Sequence, residues 1–130
     1  MKLGYTIVYV ADVAASLAFF ESAFGFKRKF LVPTGDYGEL DTGATTLSFA
    51  HHSLGESHFP GGYVRADQSA TPLGMEIALV TDDVPAAHAK ALSYGASELC
   101  APAQKPWGQT VSYVRAPDGT LIELCSPIHA

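Results

Sequence analysis

The chain has 130 residues, of which 48% are hydrophobic and 16% charged, with a net charge of −5. That is the size and composition of one globular domain with room for a buried core. The longest basic run, Lys27-Arg28-Lys29, is too short for a nucleic-acid footprint, and the mild acidity disfavours anionic membranes.

No apolar run approaches the length of a membrane span, and Met1-Lys2-Leu3-Gly4 leads straight into a strand pattern, so the expected location is the cytoplasm. There Cys100 and Cys125 form no framework and are expected to stay reduced as small packing residues.

Alternation from Tyr5 to Val10 predicts a first strand, rich in β-branched and aromatic residues. Asp12 is the expected N-cap of a helix that places Val13, Leu17, Phe20 and Phe24 on one side, and Gly25 closes it. Phe26 to Val32 is the next strand, stopped by Pro33-Thr34-Gly35. Tyr37 to Asp41 is a short strand, and the Thr42-Gly43 turn leads into another over Thr45 to Ala50. His51 to Pro72 has no sustained period, so it reads as a long binding loop, a lid, or the hinge of an exchanged pair. Met75 to Thr81 restarts the pattern. Asp82 or Asp83 caps a second helix, which turns Val84, Ala87, Ala91 and Leu92 inward and ends at Gly95. Strands over Ser97 to Ala101, Gln109 to Arg115 and Leu121 to Ser126 follow, the last two joined by the tight turn Pro117-Asp118-Gly119.

This order is one unit stated twice. Tyr5-Thr-Ile-Val-Tyr-Val-Ala-Asp-Val-Ala14 is answered by Glu76-Ile-Ala-Leu-Val-Thr-Asp-Asp-Val-Pro85, and Asp41-Thr-Gly-Ala-Thr-Thr-Leu-Ser48 by Asp118-Gly-Thr-Leu-Ile-Glu123. The repeat predicts two βαβββ modules, over residues 1–51 and 73–130, joined by a linker over 52–72. Pseudo-symmetry then puts Tyr5, Ser48, Glu76 and Glu123 at equivalent positions. Strand parity places Val8, Val10, Leu47, Phe49, Ile122 and Leu124 on the opposite face, which is apolar enough to lie under the helices. The first face is expected to line a cavity, with an uncharged half at Tyr5 and Ser48 and an acidic half at Glu76 and Glu123.

The stretches Ala11-Asp12-Val13-Ala14-Ala15-Ser16-Leu17-Ala18-Phe19-Phe20 and Ala116-Pro117-Asp118-Gly119-Thr120-Leu121-Ile122-Glu123-Leu124 resemble the vicinal oxygen chelate superfamily. That superfamily includes glyoxalase I, bleomycin-resistance proteins, fosfomycin-resistance enzymes, epimerases and extradiol dioxygenases. The resemblance implies an α+β fold: two curved mixed sheets, each with a helix on its convex side, around a U-shaped cavity. It also implies a homodimer with the pocket at or near the module interface.

In metal-dependent glyoxalase I the ligands stand on the first, fourth, fifth and eighth strands, and the resemblance carries these onto Tyr5, Ser48, Glu76 and Glu123. Glu123 matches, Glu76 replaces the usual His, and Tyr5 and Ser48 are poor ligands for Zn, Ni or Mn. His51, His52 and His58 are expected as solvent-facing or loop-capping residues, and His88 and His129 at the surface.

The expected protein is therefore metal-free and sequesters a small cationic or aromatic molecule, in the manner of bleomycin-resistance proteins. The expected ligand contacts are Tyr5, Tyr9, Ser48, Glu76, Trp107, Gln109, Tyr113 and Glu123. The alternative is a glyoxalase- or epimerase-type lyase or isomerase. There Glu123 or Glu76 is the catalytic base, Arg115, Tyr5 or Tyr113 stabilises charge, and any divalent ion (Zn, Ni, Mn or Mg) is held by Glu76 and Glu123. A structural or interaction module with a vestigial pocket is the third reading.

Overall fold

The computed structural model describes residues 1–128, so the expectation for His129 lies outside the described residues. The chain runs β1 (Tyr5–Val10), α1 (Val13–Phe24), β2 (Lys27–Leu31), β3 (Tyr37–Asp41), β4 (Thr46–His51) and α2 (His52–His58). It continues with β5 (Ile77–Val80), α3 (Val84–Ser93), β6 (Ser97–Gln104), β7 (Thr110–Arg115) and β8 (Leu121–Cys125). Two four-stranded mixed sheets result, ordered β1-β4-β3-β2 and β5-β8-β7-β6. The first and last strands of each module pair in parallel, β1 with β4 and β5 with β8. This is the duplicated βαβββ arrangement.

Local chemistry accounts for the helix ends. Asp12 accepts a hydrogen bond from the Ala15 N–H at 3.0 Å, and Gly25 takes the left-handed conformation at φ 76°. Asp83, not Asp82, caps α3 through the Ala86 N–H. Strand β6 runs to Gln104, beyond the expected Ala101, because bulges between Glu98 and Ala103 let it stay paired with β7.

Both modules share a single hydrophobic core. Leu17 and Phe20 of α1 pack with Val10 and Phe49 of the first sheet, and Val84 of α3 with Val114 and Ile122 of the second. Each of these large side chains contributes about 2 kcal/mol on burial. A hydrogen bond from Ser16 Oγ to Asp118 Oδ2, 2.7 Å, ties α1 of the first module to the β7–β8 turn of the second. The apolar strand faces lie under the helices as parity requires.

The linker departs from its expected irregularity, since α2 occupies its first seven residues. His-Ser-Leu-Gly-Glu-Ser-His has weak helix propensity because of its central Gly. Tertiary contact explains the choice: a Cβ on Gly55 would stand 2.7 Å from the Tyr63 ring and hydroxyl. Among the described residues no helix is long and apolar enough to cross a membrane.

Candidate functional site

On the sheet faces turned away from the helices, each module presents a phenol bonded to a carboxylate. In the second sheet Tyr113 lies directly across from Glu123, and its hydroxyl donates to Glu123 Oε1 at 2.7 Å. That bond, with burial and the Glu123 charge, pushes the Tyr113 phenol up to about 12. Glu76 precedes β5 on the same face. Burial, and then the Glu123 charge, raise its carboxyl above the usual range. Much of Glu76 remains in solvent, so screening keeps the associated stability term small.

In the first sheet the carboxylate is Glu39, which is opposite Ser48 in register. Tyr37 donates its hydroxyl to Glu39 Oε2 at 2.7 Å, and Lys29 Nζ lies 3.7 Å from Oε1. Burial pushes the Tyr37 phenol up. The expectation of an uncharged half is thus corrected: Ser48 carries no charge, but its cross-strand neighbour does. The alternation Tyr37-Gly38-Glu39-Leu40-Asp41 was a usable signal, yet only the β3–β4 register puts Glu39 beside Ser48. Ser48 is 0% exposed, and among the described residues its Oγ makes no hydrogen bond of good geometry.

These positions do not fit a tightly held transition metal. Tyr5, Ser48, Glu76 and Glu123 supply a phenol, an alcohol and two carboxylates, with no imidazole or thiolate. Glu123 Oε1 is already occupied by Tyr113. Among the described residues no group of three or more His, Cys, Asp or Glu side chains converges on one point.

A cavity of about 420 Å³ lies where the linker crosses the junction of the two sheets. Ile7 and Tyr9 of β1, Leu121 of β8 and Met75 form its floor, and Phe59, Tyr63 and Val64 of the linker form its roof. The Tyr9 and Tyr63 rings stack at a centroid separation of 5.0 Å. Apart from these phenols, the polar side chains in the wall are Glu76 and Thr120.

Of the expected ligand contacts, Tyr9 and Glu76 line this cavity. Tyr5, Tyr113 and Glu123 stand outside its wall on the sheet faces turned away from the helices, and Ser48 is buried there. Trp107 and Gln109 sit at the far end of the β6–β7 hairpin. There Trp107 Nε1 donates to Gln109 Oε1 at 2.7 Å, and the Gln109 amide donates to Ser126 O at 2.8 Å.

Sequence reasoning missed the residues that hold the roof. Arg115, expected as a charge stabiliser, spends its guanidinium on linker oxygens: Ala66 O at 2.7 Å, Ser69 O at 3.0 Å and Ser69 Oγ at 3.1 Å. His52 is buried, not solvent-facing, with Nδ1 2.8 Å from the Tyr63 hydroxyl and Nε2 2.9 Å from Asp67 Oδ1. His51 caps α2 through the Ser53 N–H. His88 is also corrected: it is 4% exposed, between Ser112 Oγ at 2.9 Å and Glu98 Oε2 at 2.7 Å. Of the two thiols Cys125 is buried and Cys100 exposed, the latter against expectation.

A model of the Glyoxalase/Bleomycin resistance protein/Dioxygenase superfamily matches residues 2–124. No curated protein matches the sequence. Among solved structures, a glyoxalase-related enzyme from Fulvimarina pelagi superposes with a TM-score of 0.82 at 18% identity, covering 98% of this chain and 88% of that one. A glyoxalase/bleomycin resistance protein/dioxygenase family enzyme from Burkholderia phytofirmans PsJN gives 0.82 at 19% identity, covering 97% and 98%. TioX from Micromonospora sp. ML1 gives 0.70 at 19% identity, with the same two coverages, 97% and 98%. At these identities the likeness concerns the fold.

Proposed function

This chain belongs to the Glyoxalase/Bleomycin resistance protein/Dioxygenase superfamily, and within it we propose that the protein is a metal-free binder of small aromatic cations. One observation carries this reading: an apolar, aromatic-walled cavity of about 420 Å³ with a carboxylate, Glu76, in its wall. Tyr9, Phe59 and Tyr63 give the wall aromatic surface that suits a flat or cationic group, and Glu76 offers the counter-charge. A cavity of this size suits a small organic ligand. Titration calorimetry with a panel of planar aromatic amines is expected to give dissociation constants well below millimolar. Glu76→Gln should weaken the best of them about tenfold, the loss of one charge-assisted contact. If every member of the panel fails to bind, the proposal is wrong.

A second reading is proton transfer, and the raised Glu76 carboxyl beside Glu123 favours it. A carboxyl shifted upward is a better base once ionised. The charge that develops on a substrate oxygen still needs an electrophile, and Arg115, the cation expected for that task, is spent on the linker. Binding is therefore preferred to catalysis. Lactoylglutathione formation, assayed with and without Ni, Zn or Mn, separates the two readings. We place the protein in the cytoplasm as a homodimer.

A further inference from the structure

Part of the cavity wall stands in solvent, and that part is apolar. Phe59 and Val64 of the roof and Met75 of the floor line the cavity, yet they are 52%, 66% and 64% exposed. A large apolar side chain left singly in solvent is ordinary. Three of them on one cavity, from both its roof and its floor, are surface that an apolar partner covers. The half-buried part of the wall is aliphatic too, with Leu73, Ile77 and Leu121.

Two further observations say what this partner is. The Tyr9 and Tyr63 rings stack on each other, so each has one face already covered. A ligand that only stacked would use little of this wall, whereas a flexible alkyl chain can follow its irregular aliphatic surface. The second observation concerns charge. Glu76 is exposed, adjoins Met75 in the chain, and is the one charged side chain among the described residues of the wall. A cationic nitrogen drawn to Glu76 therefore sits where the exposed apolar surface begins, and an anionic head group finds no counter-charge there.

We infer that the ligand of this cavity is a cationic amphiphile: an aromatic amine whose nitrogen also carries an alkyl chain, held at Glu76 with the chain laid over Met75, Val64 and Phe59. The inference rests on the binding reading above and adds the aliphatic chain. Methylenes covered by these side chains raise affinity in proportion to their number, which a charge contact at an exposed carboxylate does not.

The probes are N-methyl-, N-butyl- and N-octylbenzylamine, titrated by calorimetry below the concentration at which the longest forms micelles. With the unsubstituted protein, affinity should rise about twofold for each added CH2, the worth of a methylene half removed from water, and so about hundredfold from methyl to octyl. One molecule should bind per chain. In the double variant Val64→Ser, Met75→Ser the octyl-to-methyl ratio should fall to about tenfold. Both side chains stand mostly in solvent, so the fold tolerates their loss. Glu76→Gln should weaken all three probes by a similar factor and keep the ratio. A methyl compound that binds as tightly as the octyl one overturns the inference and leaves the binding reading intact. An undiminished ratio in the double variant also overturns it, because the chain then lies on other surface. So does a dimer that the double variant turns into a monomer in sedimentation velocity, because these side chains then belong to an interface between copies. If none of the three probes binds the unsubstituted protein, both the inference and the binding reading fall.

Discussion

Glu76 gives the proposed site its pH dependence. Burial and the Glu123 charge raise its carboxyl, so the folded protein holds that proton more tightly than the unfolded chain does. Two consequences have opposite signs. Stability from this group is complete below the ordinary carboxyl range and is lost as pH rises through the raised value. Affinity for a cation instead grows as pH rises through that value, because the cation needs the ionised form. Titrations at several pH values should show this rise, and Glu76→Gln should flatten it. A rise that persists in the variant would assign the effect to another group. His88 is a contrasting residue. Ser112, His88 and Glu98 have the order of a hydrolytic triad, but Ser112 is 0% exposed beneath α3, where no substrate reaches it. The cluster is a strut between α3 and strands β6 and β7. His88→Ala is expected to cost about 2–4 kcal/mol, through a cavity and an unpaired serine, as read by denaturant melts. Ligand affinity at a permissive temperature should not change.

At the level of elements, the linker is the decisive piece. It forms the roof of the cavity, and the roof is fastened at two points. Arg115 at the end of β7 grips Ala66 and Ser69, and buried His52 joins Tyr63 to Asp67. The turn before β8 is fitted to the same segment. Gly119 has φ +92°, and a Cβ there would lie 2.2 Å from Ala66 O. Gly119→Ala is therefore strained in its backbone and also collides with the roof. It should destabilise the protein by about 1–3 kcal/mol. Hydrogen exchange should show faster opening of residues 59–70, with the strands little affected. If the roof exchanges no faster in the variant, the turn does not hold it down. The linker helix was hidden from sequence reading for a related reason. Its Gly and Ser content argues against a helix, and Tyr63, which makes glycine necessary at position 55, is itself part of the linker fold.

For the molecule as a whole, the faces turned away from the helices are the unfinished part. Tyr5 is 58% exposed, Ile7 45% and Val80 67%, all on those faces. Large apolar side chains left exposed on a sheet face are the kind that interfaces cover, and the homodimer proposed above would cover them. Sedimentation velocity is expected to give a dimer, and Val80→Glu should shift it toward monomer. A monomer across the accessible concentration range would count against it. Asp12, Gly25 and the period of the two helices were legible in the sequence because caps and amphipathic spacing are local properties, whereas the choice between Asp82 and Asp83 fell to the structure. The duplication and strand parity likewise gave two βαβββ modules with an apolar face under each helix, since a strand's two faces follow from alternation alone. Tertiary structure alone decided the rest. Glu39 stands beside Ser48 by register between strands, His88 and His52 are buried by partners 10 or more residues away, and the cavity exists because Arg115 holds the linker over the junction of the sheets. Each of these is a meeting of distant segments, and no local pattern encodes where a distant segment will lie.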